Sequence, residues 1–359
     1  MRRAFVVKLG RLAREAIARD GLRPGDIACV PAAAGGPKGL ALMPLDRWLF
    51  GEWLAQPREL TLVGASIGAW RMAAAADANP VAAIAALERG YVEDQNFRVK
   101  PTPAEVAQLM RANVENGFAA WRPRPDVTLH VLTARAAGAL ERDGSRRAFG
   151  RAALANARGR RHLSRHLRRV VFSRGPARGT AEVLFGDDPF GCIQVDLDAA
   201  NATQALLASG SIPLVSEAVP DIPGAPAGWY WDGGLIDYHL YHPYARLDRL
   251  TLYPHFAPSV TPGWLDKFLP WRKQGVRGRG APWLASMILI APSPAFIATL
   301  PGGKLPDRND FYRYAGDHAA RIAAWKRALA ECRRFADEAA AWLTRPDLSI
   351  AESFEKESP

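Results

Sequence analysis

The sequence predicts an α/β protein whose central sheet is mainly parallel and is covered by helices on both faces. Short apolar segments with β-branched residues recur along the chain, and stretches of helical composition separate them, as in βαβ units. The chain has 359 residues, of which 48% are hydrophobic and 23% are charged, so it can bury a large core. This composition excludes disordered, collagen-like and disulfide-dense proteins.

The individual elements follow from local composition and spacing. Strands are predicted at residues 26–31, 59–63, 127–133, 169–173, 181–185, 192–197 and 249–253. Helices are predicted at residues 40–53, 68–78 and 307–344. The composition shifts near residue 245. We therefore expect a core over residues 1–245, with its motifs between 26 and 245, and a mostly helical C-terminal extension over residues 246–359.

The charge balance is strongly basic. The chain has 47 Lys and Arg against 36 Asp and Glu, which gives a net charge of +11. Such a surface favours anionic partners, namely phospholipid surfaces, nucleic acid or acidic substrates. The cysteines, at positions 29, 192 and 332, are far apart and odd in number. They fit neither a disulfide framework nor a metal site, and they indicate a reducing compartment.

The chain lacks the pattern of a signal peptide or a spanning helix. Positive charges at positions 8, 11 and 14 interrupt the apolar run that a signal peptide would need. The long uncharged stretch 281–303 contains four prolines, which would break a spanning helix repeatedly. We therefore expect a cytoplasmic protein.

The sharpest motif is Gly64-Ala65-Ser66-Ile67-Gly68, between a predicted strand and an alanine-rich predicted helix. A serine on a tight strand-to-helix turn presents its hydroxyl at the top of the sheet, where it can act as a nucleophile. The first N–H groups of the following helix then face a developing negative charge. The alternative is an ordinary junction whose serine only caps the helix.

A second motif, Gly35-Gly36-Pro37-Lys38-Gly39, also lies between a predicted strand and a predicted helix. Consecutive glycines let backbone N–H groups approach a substrate and cradle an anion. Neither the Walker pattern nor the dinucleotide fingerprint fits, since position 34 is alanine. The positive charge of Lys38, at the start of a helix, interacts unfavourably with the helix dipole unless an anion or a carboxylate lies beside it. The alternative is a lysine whose side chain is solvated.

The third motif is Asp232-Gly233-Gly234, which follows an aromatic strand candidate at residues 228–231. An aspartate at a strand end, followed by two glycines, can lie against another loop without steric conflict. The same three residues also form ordinary turns.

Together, and in this order, the three motifs resemble those of the patatin-like phospholipase family. The stretch 208–213 (ASGSIP) resembles the A-S-x-x-I-P segment that precedes the aspartate of that family. The resemblance covers residues 26–245, with one departure at Ala34, where the family usually has glycine. It implies a three-layer α/β fold and a lipid acyl hydrolase of phospholipase A or lysophospholipase type. No metal or cofactor is implied.

The resemblance also implies roles for individual residues. Ser66 would be the nucleophile and Asp232 its base, while Gly35, Gly36 and Ile67 would form the oxyanion hole. The supporting positions of the motifs are Lys38, Gly39, Gly64, Gly68, Gly233 and Gly234.

Other functions stay open at this stage. A Ser–His–Asp triad could use His239, His242 or His255, which follow Asp232 in the chain. The same Ser–Asp pair could serve a soluble esterase or thioesterase. A basic protein that binds membranes or nucleic acid without catalysis is the alternative outside enzymes, although no specific nucleic-acid module is present.

Two basic segments are candidate surfaces for an anionic membrane. The first is free of acidic residues and contains Arg158, Arg160, Arg161, Arg165, Arg168, Arg169, Arg174 and Arg178. The second mixes aromatic and basic residues: Trp264, Phe268, Trp271, Arg272, Lys273, Arg277 and Arg279. We expect a lipid or phospholipid substrate and peripheral contact with the membrane. A solvated face for the first segment and core packing for the second are the alternatives.

Overall fold

The centre of the molecule is a mixed, mainly parallel β-sheet, and the computed structural model describes it within residues 3–142, 144–272 and 282–354. Its strands in these ranges are β1 (Phe5–Leu9), β2 (Ile27–Ala32), β3 (Leu60–Ala65), β4 (Val127–Ala136), β5 (Leu167–Arg174), β6 (Ile193–Asp196), β7 (Val219–Pro220), β8 (Trp229–Asp232), β9 (Leu250–Pro254), β10 (Met287–Pro292) and β11 (Glu352–Ser353). They lie in the order β11-β1-β10-β9-β2-β3-β4-β5-β6, while β8 pairs with β4 and β7 pairs with β8.

Helices cover the sheet, so the fold is a three-layer α/β arrangement, as the sequence predicts. Within the described ranges they are α1 (Arg11–Asp20), α2 (Met43–Trp48), α3 (Ile67–Ala75), α4 (Pro80–Arg89), α5 (Pro103–Phe118), α6 (Ala139–Arg142), α7 (Arg146–Arg158), α8 (Arg160–Leu163), α9 (Thr180–Phe185), α10 (Ala202–Gly210), α11 (Pro294–Ile297), α12 (Asn309–Arg313) and α13 (His318–Thr344). Within those ranges, no helix combines the length and the apolar character needed to span a bilayer.

The central strands are apolar throughout because both of their faces are covered. Every residue of β3, β9 and β10 is buried. Continuous apolar runs of this kind are typical of parallel strands between two helical layers. The strands predicted at 26–31, 59–63, 127–133, 169–173, 192–197 and 249–253 are confirmed within a few residues.

One predicted strand is wrong. Residues 181–185 belong to helix α9, where Ala181, Leu184 and Phe185 are buried and Val183 is exposed. Burial of the first, fourth and fifth residues of a segment is typical of a helix, whereas a strand would bury alternate residues. The apolar composition of the segment suits both structures, so composition alone could not separate them.

The long C-terminal helix and a strand near the N-terminus also differ from the prediction. The helix predicted at 307–344 is divided into α12 and α13, because the chain turns at Ala315 and Gly316, which have φ of 42° and 90°. Asp317 then caps α13 by accepting a bond from the Ala320 N–H. Strand β1, near the N-terminus, was not predicted. Its partner β10 lies almost three hundred residues away in the chain, beyond the reach of a local pattern.

The boundary predicted at residue 245 falls between strands of one sheet. Strand β9, which follows it, pairs in parallel with β2 on one side and with β10 on the other. The segment after residue 245 therefore contributes strands to the same sheet, as well as the long helix α13.

Strand β4 organises the functional end of the sheet. Along its first half it pairs in parallel with β3, and Ala65 stands opposite Leu132. Further along, it pairs in the opposite sense with β8, and Asp232 stands opposite Thr133. The ends of β3 and β8 therefore meet head to head beside the same strand. This arrangement brings residue 66 next to residue 232.

Candidate active site

Ser66 occupies a strained turn between β3 and α3. Its φ of 58° and ψ of −133° lie outside the regions that L-residues normally adopt. The flanking glycines allow close approach of the backbone at this turn. A Cβ on Gly68 would stand 1.9 Å from the carbonyl oxygen of Ala32, and one on Gly64 would stand 2.5 Å from the Cα of Ala69. The spacing of the motif therefore has a steric reason.

The side chains of Ser66 and Asp232 are in direct contact. The Ser66 hydroxyl donates a hydrogen bond of 2.8 Å to Oδ2 of Asp232, and the Gly234 N–H donates one of 2.7 Å to Oδ1. Both residues are largely buried, with exposed fractions of 5% and 6%. Both carboxylate oxygens thus have a donor, which holds the carboxylate towards the serine.

Residues of the stretch 208–213 hold this pair in place. The Ser209 hydroxyl accepts the N–H of Ser66 at 2.9 Å and donates to the carbonyl of Leu132 on β4 at 2.7 Å. The carbonyl of Ser211 accepts the N–H of Asp232 at 2.9 Å. The end of α10 therefore ties the serine turn, the central strand and the aspartate together.

The three residues predicted to form the oxyanion hole line the cavities that Ser66 also lines. Gly35 and Gly36 line the same cavity as Ser66 and Asp232, and Ile67 lines the adjoining cavity with Gly36 and Ser66. The N–H groups of these three predicted oxyanion-hole residues donate to no acceptor in the described part of the chain. Ala34, which departs from the family pattern, donates its N–H to the carbonyl of Tyr238 at 2.9 Å, so this group is not free.

The remaining glycines of the motifs mark close contacts between the loops. A Cβ on Gly233 would stand 2.3 Å from the carbonyl oxygen of Leu132, and one on Gly234 would stand 2.6 Å from the Cβ of Ala34. A Cβ on Gly39 would stand 3.0 Å from the side chain of Ile67. The three motifs, remote in sequence, therefore pack directly against one another.

The electrostatic environment makes Asp232 a better base than an ordinary aspartate. Burial raises the pKa of Asp232 to about 6, although the bonds from Ser66 and Gly234 and the charge of Arg308 act in the opposite direction. A base with a pKa near the working pH combines ionisation with a useful affinity for the proton. The carboxylate is therefore suited to accept the proton of Ser66.

The histidines of the alternative triad lie elsewhere. In the described part of the chain, no hydrogen bond joins a histidine to Ser66 or Asp232. The Nδ1 of His239 accepts from the N–H of Thr261, and His242 lies 3.1 Å from Asp237. Burial lowers the pKa of His239, His242 and His255. Nor do His, Cys, Asp and Glu side chains gather into a metal-binding group within the described ranges.

Two branches of a cleft meet at Ser66, each with a volume of about 170 Å³. The polar branch contains Gly35, Asp232 and the side chains of Lys38, Tyr238, Trp264, Lys267, Asp307 and Arg308. The apolar branch is lined mainly by Trp70, Tyr91, Phe97, Val106, Met110 and Phe311. Gly36, Ser66 and Arg308 line both branches. The serine thus stands where a charged pocket joins a hydrophobic one.

Sequence reasoning missed most of the charged side chains in this cleft. Arg308 precedes α12, in a segment that resembles no motif, and Lys267 lies in a short helical turn between aromatic residues. Both residues are remote from Ser66 in the chain, so only tertiary packing brings them into this cleft. No local sequence pattern indicates that these two side chains line the cleft. Lys38 was singled out by its unfavourable place at a helix start, and it does line the cleft.

The first basic segment does not form one continuous face. Arg169 is buried and donates bonds of 2.6 and 2.8 Å to Asp237, and Arg160 pairs with Asp266 at 2.8 Å. Arg174 is half-buried over the ring of Trp121. The exposed members are Arg158, Arg161, Arg165, Arg168 and Arg178.

The second segment presents two large side chains to solvent. Phe268 and Trp271 are 62% and 74% exposed. Arg272 instead pairs with the buried Asp266 at 2.8 Å. The predicted members Lys273, Arg277 and Arg279 lie outside the described residues.

Comparison with known proteins adds no further assignment: no family model matches the sequence, and no similar protein was found among those with curated descriptions.

Proposed function

We propose that this protein is a serine acyl hydrolase of lipid esters, of the patatin-like type that its motifs resemble. The observation that carries the proposal is the 2.8 Å hydrogen bond from Ser66 to Asp232 at a strained strand-to-helix turn. Serine hydroxyls are weak nucleophiles, and an adjacent base is the usual means of activating them. Gly35, Gly36 and Ile67, whose N–H groups donate to no acceptor in the described part of the chain, line the cavities around Ser66 and support the same chemistry.

The proposed reaction has two halves. The Ser66 oxygen attacks the carbonyl carbon of the ester while Asp232 accepts its proton, and the N–H groups of Gly35, Gly36 and Ile67 stabilise the oxyanion. The tetrahedral intermediate collapses, the C–O bond to the alcohol breaks, and Asp232 protonates the leaving oxygen. Water then attacks the acyl-enzyme, gives a proton to Asp232, and releases the carboxylic acid as Ser66 regains its proton.

The apolar branch supports a lipid substrate. Its aromatic and aliphatic walls begin at Ser66, so an acyl chain can leave the scissile carbonyl directly into a hydrophobic environment. Exposed Phe268 and Trp271, in a basic segment near the polar branch, support peripheral contact with an anionic membrane. A cytoplasmic enzyme at a membrane surface is the setting we propose.

A fluorophosphonate probe tests the proposal. It reacts with activated serines, so the wild-type protein should be labelled and Ser66→Ala should not be. Exposed Ser349 provides a matched control, since Ser349→Ala removes a hydroxyl far from the motifs. Failure to label folded wild-type protein would contradict the proposed function.

Chain-length dependence separates lipid from soluble esters. With one ester series of increasing acyl length, kcat/KM should rise as more methylenes enter the apolar branch, by about threefold to fourfold for each buried methylene. A maximum at two to four carbons, or a preference for thioesters without length dependence, would assign a soluble esterase or thioesterase instead.

A further inference from the structure

Three cations line the polar branch and form no ion pair with a carboxylate in the described part of the chain. Lys38, Lys267 and Arg308 are half-buried and line this branch. No ion pair joins any of them to a carboxylate within residues 3–142, 144–272 and 282–354. Asp307, the other acid of this branch besides Asp232, is bound by Lys304 at 2.9 Å. Positive charge therefore exceeds negative charge in this pocket, since three cations face Asp232 and an Asp307 that Lys304 already pairs.

The contacts of these side chains hold the charges in the pocket. The ammonium group of Lys267 lies 4.2 Å from the ring centre of Trp264, and that of Lys38 lies 5.5 Å from the ring centre of Phe256. The Nη1 atom of Arg308 is buried and has no hydrogen-bond partner among the residues that the structure describes. A buried donor without an acceptor is costly, so this atom is suited to a ligand that supplies one.

The three charges also act on one another. Burial, Arg308 and Lys38 together lower the pKa of Lys267 to about 8. Burial lowers the pKa of Lys38, while Asp307 partly opposes that change. An anion placed among these groups would relieve the mutual repulsion and supply acceptors for their N–H groups.

The position of Arg308 connects this charge to the reacting atoms. Its side chain lines both branches, and its Cγ is 3.5 Å from the place of a Cβ on Gly36, in the predicted oxyanion loop. A ligand held by Arg308 therefore lies beside the ester that Ser66 would attack.

We infer that the polar branch binds an anionic group, a phosphate or a carboxylate, which the substrate carries next to its scissile ester. This inference rests on the proposed function and narrows its substrate class. The preferred substrate is an amphiphile with its acyl chain in the apolar branch and its anionic headgroup against Lys38, Lys267 and Arg308. Neutral acylglycerols with the same chain would fill only the apolar branch.

A matched pair of esters tests the inference. The kcat/KM of a monoacylglycerol is compared with that of the same monoacylglycerol carrying a 3-phosphate, both below their micelle concentrations. Because bonds to charged groups are strong, the wild type should prefer the phosphate ester by about tenfold or more. Equal kcat/KM values for the two esters would overturn the inference.

Variants connect the preference to these residues. Arg308→Ala and Lys267→Ala should each reduce the ratio of the two kcat/KM values, and the double variant should bring it close to one. Lys267→Arg keeps the charge and should keep most of the ratio. Arg333→Ala removes a surface charge from α13 and should leave the ratio unchanged. A ratio that survives the double variant would overturn the assignment of the pocket.

Inorganic phosphate separates the inference from the proposed function. Calorimetry should detect phosphate binding to the wild type and a loss of that binding in Arg308→Ala, whether or not an ester turns over. If phosphate binds but both esters are hydrolysed equally, the pocket is a site for a free anion. That result would overturn the inference that the substrate carries an anionic headgroup. No detectable phosphate binding in the wild type would also overturn the anion site. Absence of hydrolysis together with absence of fluorophosphonate labelling would instead reject the acyl hydrolase itself.

Discussion

Replacing Asp232 by asparagine is expected to make the protein more stable at neutral pH and to lower the proposed hydrolytic activity by orders of magnitude. Burial raises the pKa of this carboxyl from its ordinary value of 3.8 to about 6 in the folded protein. The unfolded chain therefore releases the proton at lower pH than the folded protein does. Between these two values, each rise in pH lowers the free energy of unfolding.

The magnitude follows from the two pKa values. At about 1.4 kcal/mol for each tenfold change in proton affinity, the ionised carboxylate costs the folded state about 3 kcal/mol above pH 6. Asparagine has nearly the same shape and no charge, and its carbonyl can still accept the Gly234 N–H. We expect Asp232→Asn to raise the free energy of unfolding by about 1–3 kcal/mol at pH 7.5, and by about 1 kcal/mol or less at pH 4.5.

Urea denaturation followed by circular dichroism at both pH values measures this difference. Asp248→Asn, at an exposed position, is the control and should change the free energy of unfolding by less than about 0.5 kcal/mol at either pH. The kcat of Asp232→Asn should fall by about 10²–10⁴-fold, as for loss of a general base. A variant that is no more stable than wild type at pH 7.5, or a gain that does not change with pH, would refute the reasoning.

Three further predictions concern the pH dependence of kcat/KM, the support of Ser66 by Ser209, and contact with membranes. With Asp232 as the base, kcat/KM for a short neutral ester should fall about tenfold for each pH unit below the pKa of about 6, and a pH profile that is flat down to pH 4 would contradict this role. Ser209→Ala removes the acceptor of the Ser66 N–H, so it should lower the free energy of unfolding by about 1–3 kcal/mol and lower kcat more than KM. Denaturation and steady-state kinetics measure these two effects. A kcat equal to that of the wild type would contradict the prediction. Phe268→Ser and Trp271→Ser should weaken sedimentation with anionic vesicles, and unchanged binding would exclude this aromatic pair from membrane contact.

The local part of the site could be predicted from sequence because its determinants are local. The position of Ser66 depends on a strand, a turn and a helix that all lie within about ten residues of it in the chain, and small flanking residues mark that turn. Asp232 could be proposed only because the motifs occur together in a known order. Its contact with Ser66 depends on pairing of β8 with β4, which no local pattern specifies.

Other parts of the molecule could not be predicted, for physical reasons. The segment 181–185 has a composition that suits a strand or a helix, and its burial against the rest of the fold decides the outcome. Arg308 lines the cleft at the start of α12, and α12 is tied to α13 by the bond that Trp325 donates to Asp310. The role of such a residue depends on tertiary contacts, and its neighbours in sequence say nothing about it.

The head-to-head meeting of β3 and β8 along β4 has a consequence for the proposed hydrolysis. Pairing of β3 and β8 with β4 sets the spacing of the hydroxyl and the carboxylate, so their contact is part of the fold itself. The range of esters accepted by the proposed activity would then depend on the surrounding walls, from α5 to α12, and could change without disturbing the Ser66–Asp232 pair. Conversely, a one-residue slip of β8 along β4 would move the carboxylate away from the hydroxyl and abolish the proposed hydrolysis, even if every side chain were retained.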